Sequence, residues 1–269
     1  MIRDITIGQY YKTDSFIHRL DPRTKILGAL IFILDLFFFK SVSAYIIAAI
    51  FLLSVIKISK VPIKYILRGL RPVMMLLAFT VVCQIIFNKT GDIWINTSYI
   101  RIYSGGVYSA IYFAVRIVFM LIGTSMMTYT TTPNQLTDGL ESVMKPFKIF
   151  RLPVHDIAMI MSIALRFIPI LLEECDKIMK AQMARGADFE SGNIIVRSKN
   201  MVPVLIPLFV ASFRRANDLA YAMESRCYRG GEGRSKMKPL RYNGTDTIAF
   251  LYIIIFIMIQ LILQQLIIK

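Results

Sequence analysis

Five apolar stretches, each nearly free of charge, constrain the fold of this chain more than any other feature. In order, they cover residues 26–39, 42–56, 73–87, 107–129 and 247–268. A helix needs about 17–25 apolar residues to cross a bilayer. The last two stretches meet this length, whereas the first two need flanking residues and leave a tight turn at Lys40 and Ser41. The sequence therefore predicts an all-α integral membrane protein with about five transmembrane helices.

The net charge of +15 is unevenly distributed, and its distribution predicts the orientation in the membrane. The loop between the second and third stretches is strongly basic, with Lys57, Lys60, Lys64, Arg68 and Arg71. Residues 88–106 contain only two basic residues, Lys89 and Arg101, whereas residues 130–245 are rich in lysine and arginine. Because basic loops stay in the cytoplasm, the N-terminus and residues 130–245 are predicted to be cytoplasmic, in a multi-pass protein of the cell membrane. This topology accounts for the basic excess, so we expect no nucleic-acid partner.

The apolar and polar stretches divide the chain into three predicted regions. These are an N-terminal four-helix membrane region at 1–129, a cytoplasmic region of amphipathic helices at 130–245, and a C-terminal transmembrane helix at 246–269. In the middle region, Thr132 and Pro133 predict a helix start. Pro169, Pro203 and Pro207 interrupt later apolar segments and are predicted hinge or kink points. We expect these segments to be too broken to span a bilayer and to lie at the membrane face.

Two segments of the middle region are similar in sequence. Asp176–Gly186 aligns with Asn217–Cys227, which places Arg185 opposite Arg226, 41 positions later (226 − 185). Small residues flank each arginine, Ala184 and Gly186 in the first copy and Ser225 and Cys227 in the second. Arginine presents a planar fork that binds a carboxylate through two hydrogen bonds. The two triplets are therefore predicted to dock onto two similar partners, with lipid phosphate as the alternative ligand.

Residues for intrinsic catalysis are missing from the sequence. The two histidines, His18 and His155, are far apart in the chain, and phosphate-binding, zinc-protease, Cys-x-x-Cys and Gly-x-Ser-x-Gly motifs do not occur. Adjacent acids at Glu173, Glu174 and Asp176 point in different directions on a helix. The sequence thus predicts no catalytic residue, cofactor or metal site, and we expect a protein that is not an enzyme.

Two charged residues fall inside predicted spans. Asp35 lies late in the first apolar stretch and Arg116 in the first half of the fourth. Charges inside a membrane are usually paired or functional. A structural ion pair between Asp35 and Arg116 is therefore favoured over a role in a substrate pathway.

Several motifs together point to a known family. They are Gly8-Gln9-Tyr10, Leu20-Asp21-Pro22-Arg23, Leu165-Arg166-Phe167-Ile168-Pro169, Ala184-Arg185-Gly186-Ala187-Asp188 and Ser225-Arg226-Cys227. With them the chain resembles, over nearly its whole length, the transmembrane T component (EcfT) of energy-coupling factor (ECF) transporters. The last motif keeps the arginine of the family's second Ala-Arg-Gly-type motif but lacks its alanine and glycine.

The resemblance implies a scaffold rather than an enzyme. Two cytoplasmic ATP-binding cassette ATPases (A and A′) would grip Arg185 and Arg226 at the ends of crossed coupling helices. A separate small membrane protein, the S component, would bind the vitamin or other micronutrient. Closure of the ATPase pair on ATP would move the coupling helices and reorient the S component.

Other classes of function stay open from the sequence. One is the membrane domain of a conventional ABC permease, which normally offers one coupling element per subunit. Another is a non-transporting membrane anchor or assembly factor. A third is an integral-membrane enzyme, against which the missing motifs weigh. Co-purification with two different ATPases and a small membrane protein would favour the ECF interpretation.

Overall fold

Long helices make up most of this computed structural model, which describes residues 10–39, 41–96, 101–150, 153–189, 193–230 and 239–268. The helices are α1 (Pro22–Phe38), α2 (Val42–Ser59), α3 (Ile63–Phe87), α4 (Ser104–Thr130), α5 (Pro133–Met144), α6 (Val154–Ala184), α7 (Ile194–Glu224) and α8 (Gly244–Ile268). A short 3-10 helix, Lys145–Phe150, follows α5. The expectation of an all-α membrane protein is confirmed, apart from one small hairpin between α3 and α4. In that hairpin β1 (Ile93–Asn96) pairs antiparallel with β2 (Arg101–Tyr103).

Six helices in the described part of the chain are long and apolar enough to cross a membrane, namely α2, α3, α4, α6, α7 and α8. The first apolar stretch forms α1, which has 17 residues. The predicted number of about five spans is therefore close to the number found. The additional candidates, α6 and α7, come from the region that the sequence predicts to be cytoplasmic.

The prediction that α6 and α7 would be too broken to span a bilayer is wrong for their length and composition. Each helix has 31 residues and continues through its prolines, Pro169 in α6 and Pro203 and Pro207 in α7. A proline removes one backbone donor and crowds the preceding turn. In a long apolar helix the remaining backbone bonds maintain the helix on both sides of it. The sequence reasoning gave too much weight to single prolines.

The chain divides into two compact units. One comprises residues 8–142 and 240–269 and contains α1 to α4, most of α5, and α8. The other comprises 143–239 and contains α6 and α7, with residues 1–7 assigned to it outside the described ranges.

Aromatic and aliphatic side chains fill the core of the first unit, which we call the membrane unit. The buried residues are Phe32 and Leu36 on α1, Tyr45, Ala48 and Leu52 on α2, and Phe256 on α8. Side chains of α4 pack against this cluster, and the rings of Phe51 and Phe256 lie 4.4 Å apart between their centroids. Each buried side chain of this size contributes about 1.5–3 kcal/mol when it leaves water. The helices α1, α2, α4 and α8 therefore form one packed bundle.

Polar contacts connect the ends of three helices in the membrane unit. The buried Asp246 carboxylate accepts hydrogen bonds from the backbone N–H groups of Asp21 (2.8 Å) and Asn243 (2.8 Å) and from the Thr24 hydroxyl (3.1 Å). The Lys25 ammonium donates to the Thr130 carbonyl at 2.7 Å. These bonds hold the starts of α1 and α8 beside the end of α4.

The helix start predicted at Thr132 and Pro133 is confirmed. The Thr132 hydroxyl accepts from the Gln135 backbone N–H, and the Gln135 side-chain oxygen accepts from the Thr132 N–H. This reciprocal pair is a capping box, in which two free donors at the start of a helix are satisfied at once.

Candidate functional site: two matched arginine helix ends

The end of α6 has the geometry of a Schellman motif. Gly186 has φ of +89°, and its N–H donates to the Met183 carbonyl at 3.0 Å. The Ala187 N–H donates to the Gln182 carbonyl, also at 3.0 Å. This pair of bonds, around a residue in the left-handed region, is the Schellman arrangement that commonly ends helices. Arg185 is the residue immediately before the left-handed glycine.

The end of α7 repeats this geometry 41 positions later (227 − 186). Cys227 has φ of +56°, its N–H donates to the Glu224 carbonyl at 2.8 Å, and the Tyr228 N–H donates to the Met223 carbonyl at 3.0 Å. Arg226 immediately precedes the left-handed residue, as Arg185 does in α6. The aligned segments therefore end in the same backbone conformation, with the arginine at the same position.

The second motif reaches this conformation with a less suitable residue. Glycine adopts the left-handed region freely, whereas a residue with a Cβ atom is strained there by about 1–2 kcal/mol. Cys227 adopts this conformation at the end of α7, where the equivalent residue at the end of α6 is a glycine, Gly186. The end of α7 therefore keeps the left-handed conformation despite this local strain.

Both triplets are accessible to a partner. Ala184, Arg185 and Gly186 are exposed, and so are Ser225, Arg226 and Cys227. Neither arginine forms an ion pair within 4 Å with an acidic residue in the described ranges. A Cβ atom added at Gly186 would meet no atom within 4 Å, so the space beside this motif is open. Each helix end thus offers a free guanidinium fork suited to a carboxylate or phosphate group.

An ion pair joins α6 to α7 at equivalent positions of the repeat. Arg215 Nη2 lies 2.9 Å from Glu174 Oε2, and both side chains are partly buried. The positions differ by 41 residues (215 − 174), the same offset that relates Arg185 to Arg226. The ion pair therefore joins equivalent positions of the two similar segments. The sequence analysis missed this pair, because aligning two segments equates their positions but does not indicate that equivalent positions are in contact.

The structure does not bring Asp35 and Arg116 together. Asp35 lies beside Gln260 of α8, at 3.5 Å from the amide nitrogen. Arg116 donates to the Tyr45 hydroxyl at 3.1 Å, and its guanidinium carbon lies 5.5 Å from the centre of the Phe37 ring. The expected ion pair is therefore replaced by two separate contacts. The pattern of one acid and one base could not indicate this, because helix rotation decides which neighbour each side chain meets.

These features define a class of protein: a multi-pass α-helical membrane protein that presents two equivalent arginine-bearing helix ends. A family model described as CbiQ, cobalt transport protein, matches residues 13–238. The energy-coupling factor transporter transmembrane protein EcfT of Clostridium kluyveri is 50% identical over 262 residues, 97% of each chain.

Two further relatives carry the same name. EcfT of Thermosediminibacter oceani is 49% identical over 250 residues, 93% of this chain and 94% of the relative. EcfT of Bacillus subtilis is 42% identical over 255 residues, 95% of this chain and 96% of the relative. The chain belongs to the EcfT family of energy-coupling factor transporter transmembrane proteins, and the resemblance noted from its motifs is confirmed.

Proposed function

We propose that this chain is the transmembrane scaffold of an ECF importer. In this role it couples ATP hydrolysis by two bound cytoplasmic ATPases, A and A′, to reorientation of a separate substrate-binding S component, for uptake of a vitamin or another micronutrient. Hydrolysis takes place in the ATPase subunits, and the chain itself is not an enzyme. The observation that carries the proposal is the pair of exposed arginine ends with the same Schellman geometry.

Two equivalent helix ends fit a partner that offers two equivalent grooves. Each ATPase of the pair would receive one triplet, with the arginine fork on a carboxylate and the small flanking residues against the groove wall. The Schellman bonds fix the backbone on both sides of Arg185 and Arg226. Little conformational freedom is then lost on docking, which favours affinity.

The ion pair between Glu174 and Arg215 links α6 to α7 at one position along each helix. It lies 11 residues before the arginine in each copy (185 − 174, and 226 − 215), so a displacement of one helix end is transmitted to the other helix. Pro169, Pro203 and Pro207 lie on the N-terminal side of this contact and are proposed as the positions at which α6 and α7 bend. In this mechanism, closure of the ATPase pair changes the angle between α6 and α7, and this change reorients the S component.

The proposal requires that Arg185 and Arg226 face the same side of the membrane. If both α6 and α7 crossed the bilayer, the short link between them would place their C-terminal ends on opposite sides. We therefore propose that both ends, with the rest of residues 130–245 and the N-terminus, lie at the cytoplasmic face. Cys227, which is exposed, tests this directly. In a C83S/C175S background it is expected to react with a membrane-impermeant thiol reagent in inverted vesicles and to resist it in intact cells; the reverse result contradicts the topology.

Charge reversal tests the docking itself. Arg185→Glu and Arg226→Glu are compared with wild type for co-purification of the ATPases and for substrate uptake. Lys199→Glu, a reversal at an exposed position of α7, serves as the matched control. The expected result is release of ATPases or loss of uptake in both arginine variants, with the control unaffected. If the complex and uptake survive both reversals, the arginines are surface or lipid contacts, and the proposed coupling fails.

A further inference from the structure

A polar pair buried in the membrane unit makes all the bonds that its donors allow. Asp35 is 6% exposed and Gln260 is 1% exposed. The Gln260 amide nitrogen donates to Asp35 Oδ2 at 3.5 Å and to the Ala44 carbonyl at 3.0 Å. The amide thus uses both of its N–H groups and links α1, α2 and α8.

Two oxygens of the same pair remain without a donor. Asp35 Oδ1 and Gln260 Oε1 are both buried and have no hydrogen-bond partner among the described residues. A buried polar atom left unsatisfied costs about 1–3 kcal/mol. An ionised carboxylate and an amide carbonyl are both acceptors only, so neither oxygen can satisfy the other.

Among the described residues, no positive charge compensates a carboxylate at this position. Asp35 forms no ion pair within 4 Å in the described part of the chain, and Arg116 is engaged with Tyr45 and Phe37. The buried side chains of Leu36, which follows Asp35 in sequence, and of Phe256, one turn before Gln260 on α8, are apolar. Burial of an unpaired charge in such surroundings is strongly unfavourable, and a titratable group there becomes neutral instead.

We propose that Asp35 holds a proton at neutral pH and that its O–H group donates to Gln260 Oε1. The amide N–H already donates to Asp35 Oδ2, so the added proton completes a cyclic pair of two antiparallel hydrogen bonds between acid and amide. One proton then satisfies both free oxygens and removes the buried charge. The helices packed around the pair carry titratable or charged groups towards their opposite ends, namely Arg23, Lys25, Lys57, Tyr129 and Asp246. The remaining such groups on these helices are Tyr45 on α2, Tyr108, Tyr112 and Arg116 on α4, and Tyr252 on α8. Arg116 is the charged one of these, and it contacts other side chains.

Infrared difference spectroscopy detects such a proton without any transport assay. A protonated carboxylic acid has a C=O stretching band that a carboxylate lacks. The purified protein in lipid nanodiscs at pH 7 is expected to show this band, and Asp35→Asn is expected to lose it. Asp14→Asn is the matched control, because it removes a carboxyl group whose side chain is 89% exposed. The control is expected to leave the band unchanged.

A second variant keeps the test decisive if Asp35→Asn folds poorly. Gln260→Leu retains the acid but removes its acceptor, so the band is expected to move to higher wavenumber. The proposal is overturned if wild type and Asp35→Asn have the same spectrum in the C=O region. It is equally overturned if carboxylate bands appear that shift when Na⁺ is replaced by choline, since a metal ion would then occupy the pair.

Discussion

Replacement of Cys227 by glycine should stabilise the end of α7. At φ of +56° the cysteine Cβ causes strain of about 1–2 kcal/mol, which glycine removes. Glycine in turn costs about 0.5–1 kcal/mol more conformational entropy on folding. With the middle of each range, the net gain is about 0.75 kcal/mol in the local opening free energy. The Schellman bond from the Tyr228 N–H to the Met223 carbonyl should be broken less often.

Hydrogen–deuterium exchange measures this gain at the site itself. Opening of the helix end exposes the amides of Cys227 and Tyr228, and a change of about 0.75 kcal/mol corresponds to exchange that is slower by about three- to fourfold. Cys227→Ser is the matched control, since serine keeps the Cβ atom and should show no such slowing. Gly186→Ala is the converse experiment at the end of α6, where exchange should accelerate because alanine would adopt φ of +89°.

Cys227→Gly and Gly186→Ala are expected to change amide exchange in opposite directions, slower in the first and faster in the second. If Cys227→Gly exchanges at the wild-type rate, or if the serine variant is slowed equally, backbone strain does not govern this helix end. The claim that the two motifs share one conformation would also fail if Gly186→Ala were silent. A docking role for Arg226 predicts, in addition, that Cys227→Gly retains ATPase binding at least as well as wild type.

Three further predictions concern other contacts. Glu174→Arg and Arg215→Glu should each weaken co-purification of the ATPases, and the double swap should restore it; failure of the swap would exclude the ion pair as a link between α6 and α7. Asp246→Ala should lower the free energy of unfolding by about 3 kcal/mol, because two buried donors and one partly buried donor lose their acceptor, whereas Asp246→Asn should lose less. Equal losses measured in a denaturation series would contradict this. Burial lowers the pKa of His18 below its ordinary value of 6.5, so the folded protein favours the neutral imidazole. The contribution of His18 to the free energy of unfolding is therefore complete above pH 6.5 and is lost as the pH falls below that value. Wild type should therefore lose more thermal stability than His18→Gln between pH 7.5 and 5.5, and parallel curves would refute this.

The repeat at Arg185 and Arg226 shows what a sequence pattern can predict well. The alignment of two segments located both helix ends, because residues with the same local preferences form the same local structure. Conversely, the left-handed backbone of Cys227 could not be predicted, since cysteine does not favour that conformation. The structure shows it through the φ of +56° at Cys227 and the hydrogen bond from its N–H to the Glu224 carbonyl.

The helices α6 and α7 show where local rules mislead. A proline is destabilising in an isolated helix, and the sequence therefore predicted interruptions at Pro169, Pro203 and Pro207. The cost is confined to about one turn, however, whereas backbone hydrogen bonds maintain the rest of each 31-residue helix. The unfavourable helix propensity of these prolines was therefore outweighed by the length of the two helices.

By itself, the sequence determined the class of the protein, its apolar helices, the repeated arginine motif and the family, because all of these depend on composition and on order along the chain. The tertiary structure alone decided which side chains meet across helices. It paired Glu174 with Arg215, gave Asp35 the amide of Gln260 in place of Arg116, and set Asp246 against the start of α1. The rotation of each helix about its axis selects these partners, and that rotation is fixed by the packing of the whole bundle rather than by any single segment.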